Sequence, residues 1–158
     1  MAADVTLPPT VRRSEPRVAI GWRDVTDLIP ASWQLLRAQR ALQTAERGAL
    51  LALAASVPAS AVDRTRLAEA ERLGRAVSRA ARRGPVRAKC LASSLALQRW
   101  LEARGITGAV VRIGVRQSPR GIEAHAWVTY GDTVLGDSEG HVRSFTPIAA
   151  SAAAGLAW

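Results

Sequence analysis

Hydrophobic and polar positions divide the chain into a helical part and a strand part. From Leu35 to Leu53, apolar residues recur three and four positions apart, which predicts one buried face of a helix. Ser32 is a suitable N-cap for this helix, and Pro58 ends it. After Gly105 the apolar period changes to two, which is typical of half-buried strands.

Two further helices are predicted before the strands begin. One is expected over about 60–84, with Asp63 contributing to its N-terminal cap and Gly84 close to its end. The next is expected to begin close to Cys90 and to run to Arg104, with Gly105 as the residue that follows its C-terminus. Trp100, on this helix, is expected in the core.

Three strands are predicted in the second half. Residues 111–116 alternate between apolar and polar positions, and a loop follows at 118–121. Residues 123–130 and 133–137 are expected as a hairpin around the turn Gly131-Asp132. This order of elements predicts an α+β fold in which helices pack on one face of a small antiparallel sheet.

The same pattern suggests four segments. Residues 1–31 are expected as a flexible or extended arm, 32–84 as a helical region, 85–148 as the core, and 149–158 as a tail. We expect 32–148 to form one folded domain, because this length fits a single hydrophobic core.

Composition narrows the classes of partner and location. The net charge is +9, which indicates an acidic partner such as a peptide, a nucleic acid or a membrane surface. Nucleic acid ranks low because aromatics are only 4% of the residues and lie in apolar contexts. No signal peptide is recognised near Met1, and the longest apolar run, 49–57, is too short to span a membrane. A cytoplasmic protein without stable membrane insertion is expected.

Cys90 is the single cysteine, so no disulfide can form within the chain. Its predicted place at a helix start favours the thiolate, because unpaired amides there favour negative charge. Arg87 and Lys89 act in the same direction. The alternative is a small buried hydrophobic residue, which is the commoner role of an unpaired cysteine.

His125 and Asp137 are the candidate partners of this thiol. A thiolate nucleophile needs an imidazole within hydrogen-bond reach and a third group that orients the ring. A two-residue turn at Gly131-Asp132 would set Asp137 opposite Ala126, on the wrong face of the hairpin. The triad therefore predicts a loop of odd length or a bulge.

Other residues are weighed for docking and for metal binding. Arg79 and Arg82 belong to a basic side of the second helix, together with Arg72, Arg75 and Arg83. This side is either a solvated face or a docking strip for an acidic peptide or partner. Trp127 shares a strand face with His125, so it either walls a site or fills core. No metal or cofactor is expected, because the one thiol and two histidines lack zinc spacing, and His141 is expected in a loop.

Five short segments together resemble the lasso-peptide biosynthesis B2 protein family, and the resemblance covers about residues 82–148. The segments, in order, are Lys89-Cys90-Leu91-Ala92-Ser93-Ser94-Leu95-Ala96-Leu97, Arg104-Gly105-Ile106, Ile113-Gly114-Val115, Ala124-His125-Ala126-Trp127-Val128 and Phe145-Thr146-Pro147-Ile148. The resemblance implies a transglutaminase-like or papain-like core with the Cys at a helix N-terminus.

The resemblance also implies an activity and its partners. These proteins are leader peptidases, so it implies a cysteine peptidase with Cys90, His125 and Asp137 as its triad. The implied substrate is a ribosomally made precursor peptide, whose core would be left with a free N-terminus for macrocyclisation. A separate leader-binding protein and a lasso cyclase are the implied partners. A non-catalytic leader-binding module of the same fold and an amide transferase remain as alternatives.

Overall fold

The computed structural model describes residues 26–44, 62–84 and 88–148. Outside these residues lie 1–25 of the predicted arm, the helix end at Pro58 and the tail. Residues 28–31, which were predicted as the end of the arm, are helical. Within them the order of elements is helices first and a small antiparallel sheet afterwards. The predicted α+β class is therefore confirmed.

Helix α1 spans Leu28–Thr44, so the predicted start near Ser32 is four residues late. Pro30 lies in the first turn, where its missing N–H costs no helical hydrogen bond. Ser32 is not the cap, because its hydroxyl donates to the carbonyl of Leu28 at 2.8 Å. The buried face predicted from the apolar spacing includes Leu35 and Ala38.

Helix α2 spans Leu67–Arg83 and follows a 3-10 turn at Arg64–Arg66. The Asp63 carboxylate caps this turn by accepting a hydrogen bond from the Thr65 amide at 2.9 Å. The main-chain carbonyl of Asp63 accepts a hydrogen bond from the Tyr130 hydroxyl at 2.9 Å, which ties the start of this segment to the sheet.

Helix α3 spans Cys90–Ala103, as the sequence predicts. Gly105 follows it at φ +70°, the left-handed conformation that terminates many helices. The amide of Ile106 donates back to the carbonyl of Leu101 at 2.9 Å and closes the last turn. Trp100 is buried in the main core, as predicted.

Four antiparallel strands form the sheet, in the order β3-β2-β1-β4. They are β1 (Ala109–Ser118), β2 (Gly121–Tyr130), β3 (Thr133–Leu135) and β4 (Thr146–Pro147). Helix α4, Glu139–Val142, lies between β3 and β4. Strand β4 pairs with the middle of β1 and is absent from the sequence-based prediction. No helix within the described part of the chain is long and apolar enough to cross a membrane.

The two faces of the sheet are covered differently. One face contributes Val111, Val128, Tyr130 and Leu135 to the main core, which α1, α2 and α3 complete. The other face carries a small cluster of buried residues, namely Trp127, Val142 and Phe145, with Val134 packed against it. Among the described residues, the sheet therefore has a helical layer on one side and α4 with its flanking turn on the other.

Helix α2 and the end of β3 approach each other without intervening side chains. A Cβ added at Gly74 would lie 2.8 Å from the Gly136 amide nitrogen, and a Cβ added at Gly136 would lie 2.8 Å from the Gly74 carbonyl oxygen. Gly136 also has φ +74°, which side chains disfavour. Larger residues at either position would force the two segments apart.

We expect Gly74→Ala and Gly136→Ala each to lower the free energy of unfolding by about 1–3 kcal/mol, because a methyl group cannot fit between two backbones. The measurement is urea denaturation followed by circular dichroism. Gly140→Ala is the control, since a Cβ there meets nothing within 4 Å. Equal stability of Gly74→Ala and Gly140→Ala would contradict the close approach.

A cross-strand ion pair links β1 to β2, and its contribution to the stability of the fold depends on pH. The Arg116 guanidinium donates to Glu123 at 2.7 Å. Its hydrogen bond, followed by one from Ser118, holds the pKa of Glu123 below the ordinary range. The lowered pKa means that this stabilisation is present above the unfolded pKa of about 4.3 and is lost as the pH falls through the folded value.

We therefore expect Glu123→Gln to lower the thermal midpoint at about pH 7 and to have a smaller effect at about pH 2, because more of the native carboxyl is protonated there. Thermal unfolding of both proteins at the two pH values measures the difference. Glu139→Gln, which removes a more exposed pair with Arg143, is the control and should change little at either pH. A Glu123→Gln difference that grows at low pH would refute this assignment.

Candidate active site

Cys90 is the first residue of α3. Lys89, the N-cap residue, has extended backbone and makes no side-chain capping hydrogen bond. The amides of the first turn therefore remain open to a negative charge at the thiol, which a helix N-terminus favours. Cys90 is half-buried and lines a cavity.

His125 and Asp137 form a directly bonded pair. The Nε2 atom of His125 lies 2.6 Å from Oδ2 of Asp137, and both side chains are half-buried. The other oxygen of Asp137 accepts a hydrogen bond from the Ser138 amide at 2.7 Å, which fixes the carboxylate. When Nε2–H donates to Asp137, the ring's Nδ1 atom is the free base.

The loop geometry that was predicted to bring Asp137 to His125 is wrong. Tyr130 pairs with Thr133, so Gly131-Asp132 is a two-residue turn, without the odd loop or bulge that the triad was expected to need. Strand β3 also ends at Leu135, two residues earlier than predicted. Gly136, at φ +74°, then turns the chain out of the strand register. Asp137 reaches His125 because it is no longer part of the ladder.

Aromatic rings hold the His125 imidazole in place. The Trp127 ring stacks near it with centroids 6.1 Å apart, the Phe145 ring lies at 5.1 Å, and the His141 ring meets it edge-on at 4.8 Å. Trp127 packs over Gly114, where a Cβ would lie 2.8 Å from the indole. Trp127 thus both fills the small cluster and borders the site.

His141 was wrongly expected in a loop. It lies in α4, where the Ser138 hydroxyl accepts a hydrogen bond from the His141 amide at 3.3 Å. Ser138 at the N-cap with Glu139 in the first turn is a sequence signal that could have indicated this helix. That His141 would face His125 has no local signal, because it depends on how α4 packs against the sheet.

Phe145 is held from outside by Arg116. The guanidinium carbon of Arg116 lies 4.5 Å from the centre of the Phe145 ring, and its Nη1 atom donates to the Ser144 hydroxyl at 3.0 Å. The ion pair between Arg116 and Glu123 therefore also supports one wall of the His125 environment.

The predicted catalytic residues line one cavity of about 510 Å³. Cys90, His125, Asp137 and Trp127 all line it. No hydrogen bond joins the Cys90 thiol to the imidazole within the described ranges. The structure therefore brings the thiol and the bonded His–Asp pair to one cavity, without a hydrogen bond between the thiol and the ring among the described residues.

Three side chains could in principle share a metal ion. The ligand atoms of His125, Asp137 and His141 lie within 4.8 Å of one another. The ligands of one tetrahedral zinc ion lie about 3.3 Å apart, so the hydrogen-bonded atoms of His125 and Asp137, at 2.6 Å, would have to separate in order to share one. The shortest of their contacts is the His125–Asp137 hydrogen bond, which gives the pair a role without a metal.

The basic residues predicted for docking separate into two groups. Arg82 lines the cavity of Cys90 and also an adjoining cavity, where Arg79 lies. Arg72 does not belong with them, because it forms an ion pair with Asp27 just before α1. Arg72 thus connects two helices instead of facing a ligand.

Comparison with known proteins agrees with this architecture. No curated protein and no solved structure gives a significant match. The family model described as Transglutaminase-like superfamily matches residues 32–150, which is more than half of the chain. This match includes the helix that begins at Cys90 and the hairpin that carries His125. The chain therefore belongs to the transglutaminase-like superfamily.

Proposed function

We propose that this protein is a cysteine peptidase that removes the leader peptide from a ribosomally synthesised lasso peptide precursor. Its superfamily indicates cysteine-peptidase-like or amide-transferase-like chemistry. The observation that carries the proposal is that the thiol at the start of α3 and the bonded His125–Asp137 pair line one cavity.

Each of the three residues has a step in the reaction. Nδ1 of His125 takes the proton of Cys90, and the thiolate attacks the scissile carbonyl. The carbon–nitrogen bond breaks, and the amine leaves with the proton from the imidazolium. Water, deprotonated by His125, then hydrolyses the thioester and restores the thiol. Asp137 keeps the proton on Nε2 and stabilises the imidazolium.

The helix start also serves the oxyanion. The Cys90 amide is an open donor at the N-terminus of α3, and such donors stabilise the charge that develops on the carbonyl oxygen. We expect the hydrogen bond between the thiol and His125 to form in the complex with substrate, since catalytic hydrogen bonds commonly tighten there.

The leader-peptidase part of the proposal is supported by the five segments that resemble the B2 family. It entails a separate leader-binding protein that delivers the precursor and a cyclase that uses the freed N-terminus. Hydrolysis, not amide transfer, is proposed because macrocyclisation requires a free amine on the core peptide.

We expect Cys90→Ala to abolish cleavage of a lasso precursor peptide, because it removes the nucleophile. The assay contains purified protein, the precursor and a leader-binding protein that recognises it, and mass spectrometry identifies the products. The wild type should give leader and core whose masses together exceed the precursor by one water. Cleavage by Cys90→Ala would favour the non-catalytic binding module, and a leader joined to an amine would favour the amide transferase.

We expect Asp137→Asn to reduce kcat/KM for the same cleavage roughly 10- to 10⁴-fold, because an amide can hold the wrong imidazole tautomer. His125→Ala should reduce it by about 10²-fold or more. Asp132→Asn, in the exposed turn of the same hairpin, is the control and should be close to wild type. Equal rates for Asp137→Asn and Asp132→Asn would remove Asp137 from the triad.

A further inference from the structure

A second open cavity, of about 820 Å³, lies between α2 and the segment that leaves β3. We call it the arginine groove, and it is lined by Glu71, Arg75, Ser78, Arg79, Arg82, Arg83, Val134, Gly136, Asp137 and Ser138. The arginines come from one stripe of α2, because positions four and seven apart share a helix face. Neither the superfamily match nor the proposed triad assigns this groove a role.

The arginine groove is continuous with the cavity of Cys90. Both are lined by Ser78 and Arg82 of α2 and by Gly136, Asp137 and Ser138 after β3. An extended chain lying in the groove would therefore pass Asp137 and enter the cavity that contains the thiol. The groove has the position of a substrate subsite on one side of the scissile bond.

The charge of the groove is positive. Of its two carboxylates, Glu71 lies 3.8 Å from Arg75, and Asp137 is bonded to His125. Arg82 and Arg83 are exposed and form no ion pair with any residue that the structure describes. Their guanidinium groups can bind carboxylates through two parallel hydrogen bonds, without first breaking an internal pair.

We propose that the arginine groove binds an acidic segment of the peptide substrate and directs the scissile bond to Cys90. This rests on the proposed peptidase function and adds the chemistry of the substrate. A peptide fits better than a nucleic acid, because no aromatic side chain is among the described residues that line the groove. Bases would have nothing to stack on there.

Binding and protection of the thiol test the proposal without any cleavage. The probes are a fluorescein-labelled Glu-rich peptide, the same peptide with Gln at every Glu, and a single-stranded RNA of equal charge. Fluorescence anisotropy at low and high salt gives their affinities. The rate of alkylation by iodoacetamide reports occupancy beside Cys90, because the chain has one cysteine.

We expect the Glu-rich peptide to bind at least about tenfold more tightly than its Gln counterpart at low salt. It should also slow the alkylation of Cys90. The double change Arg82→Glu with Arg83→Glu should weaken binding by about tenfold or more and abolish the protection. Arg82→Gln with Arg83→Gln should show a smaller loss in the same direction, without placing negative charge at the end of α2.

A matched control distinguishes the effect of the groove on binding from the effect of the net charge of the protein. Arg99→Glu with Arg120→Glu makes the same charge change at two exposed positions outside the groove and should keep both affinity and protection. The proposal would be overturned if this control lost as much affinity as the groove variant. It would also be overturned if the Gln peptide bound as tightly as the Glu-rich peptide, or if the RNA bound more tightly than that peptide. Protection without precursor cleavage by the wild type would refute the peptidase function alone. Cleavage that the groove variants leave unchanged would refute the groove alone.

Discussion

Two backbone segments, the middle of α2 and the residue that follows β3, touch at Gly74 and Gly136 without a side chain between them. This contact decides where the chain goes after the hairpin. Because Gly136 has a left-handed backbone there, Asp137 leaves the strand register and turns toward His125. The candidate triad therefore depends on a contact in which none of its own side chains takes part.

The same contact explains why α2 borders the site. Gly74 brings this helix against the sheet at the edge where β3 ends, and the next turns of α2 then form one wall of both cavities. The residues that follow β3 form the facing wall. The arginine groove and the cavity of Cys90 are thus two parts of one cleft between α2 and the chain beyond Gly136.

The outer face of the sheet serves the site in a different way. Trp127, Val142 and Phe145 form a cluster that is separate from the main core, and the His125 ring lies against two of its members. Such a small cluster buries little apolar surface, so its order depends on the polar contacts around it. Arg116 provides such contacts: it lies over the Phe145 ring, donates a hydrogen bond to Ser144 and forms an ion pair with Glu123.

The sequence by itself determined the elements whose signals are local. The end of α3 before Gly105 and the alternating strands follow from left-handed glycine and period-two burial, both of which act between near neighbours. The resemblance in short segments indicated the same class of fold and the same candidate triad. The three candidate residues lie at the start of α3, on β2 and in the turn after β3.

Only the tertiary structure decided how those elements meet. Register alone predicted that a two-residue hairpin would keep Asp137 from His125, yet Gly136 turns the chain and joins them. Three further contacts also depend on the tertiary structure. They are the pairing of β4 with β1, the position of His141 beside His125, and the ion pair of Arg72 with Asp27. These contacts join residues far apart in the chain, so no local periodicity or capping preference could specify them.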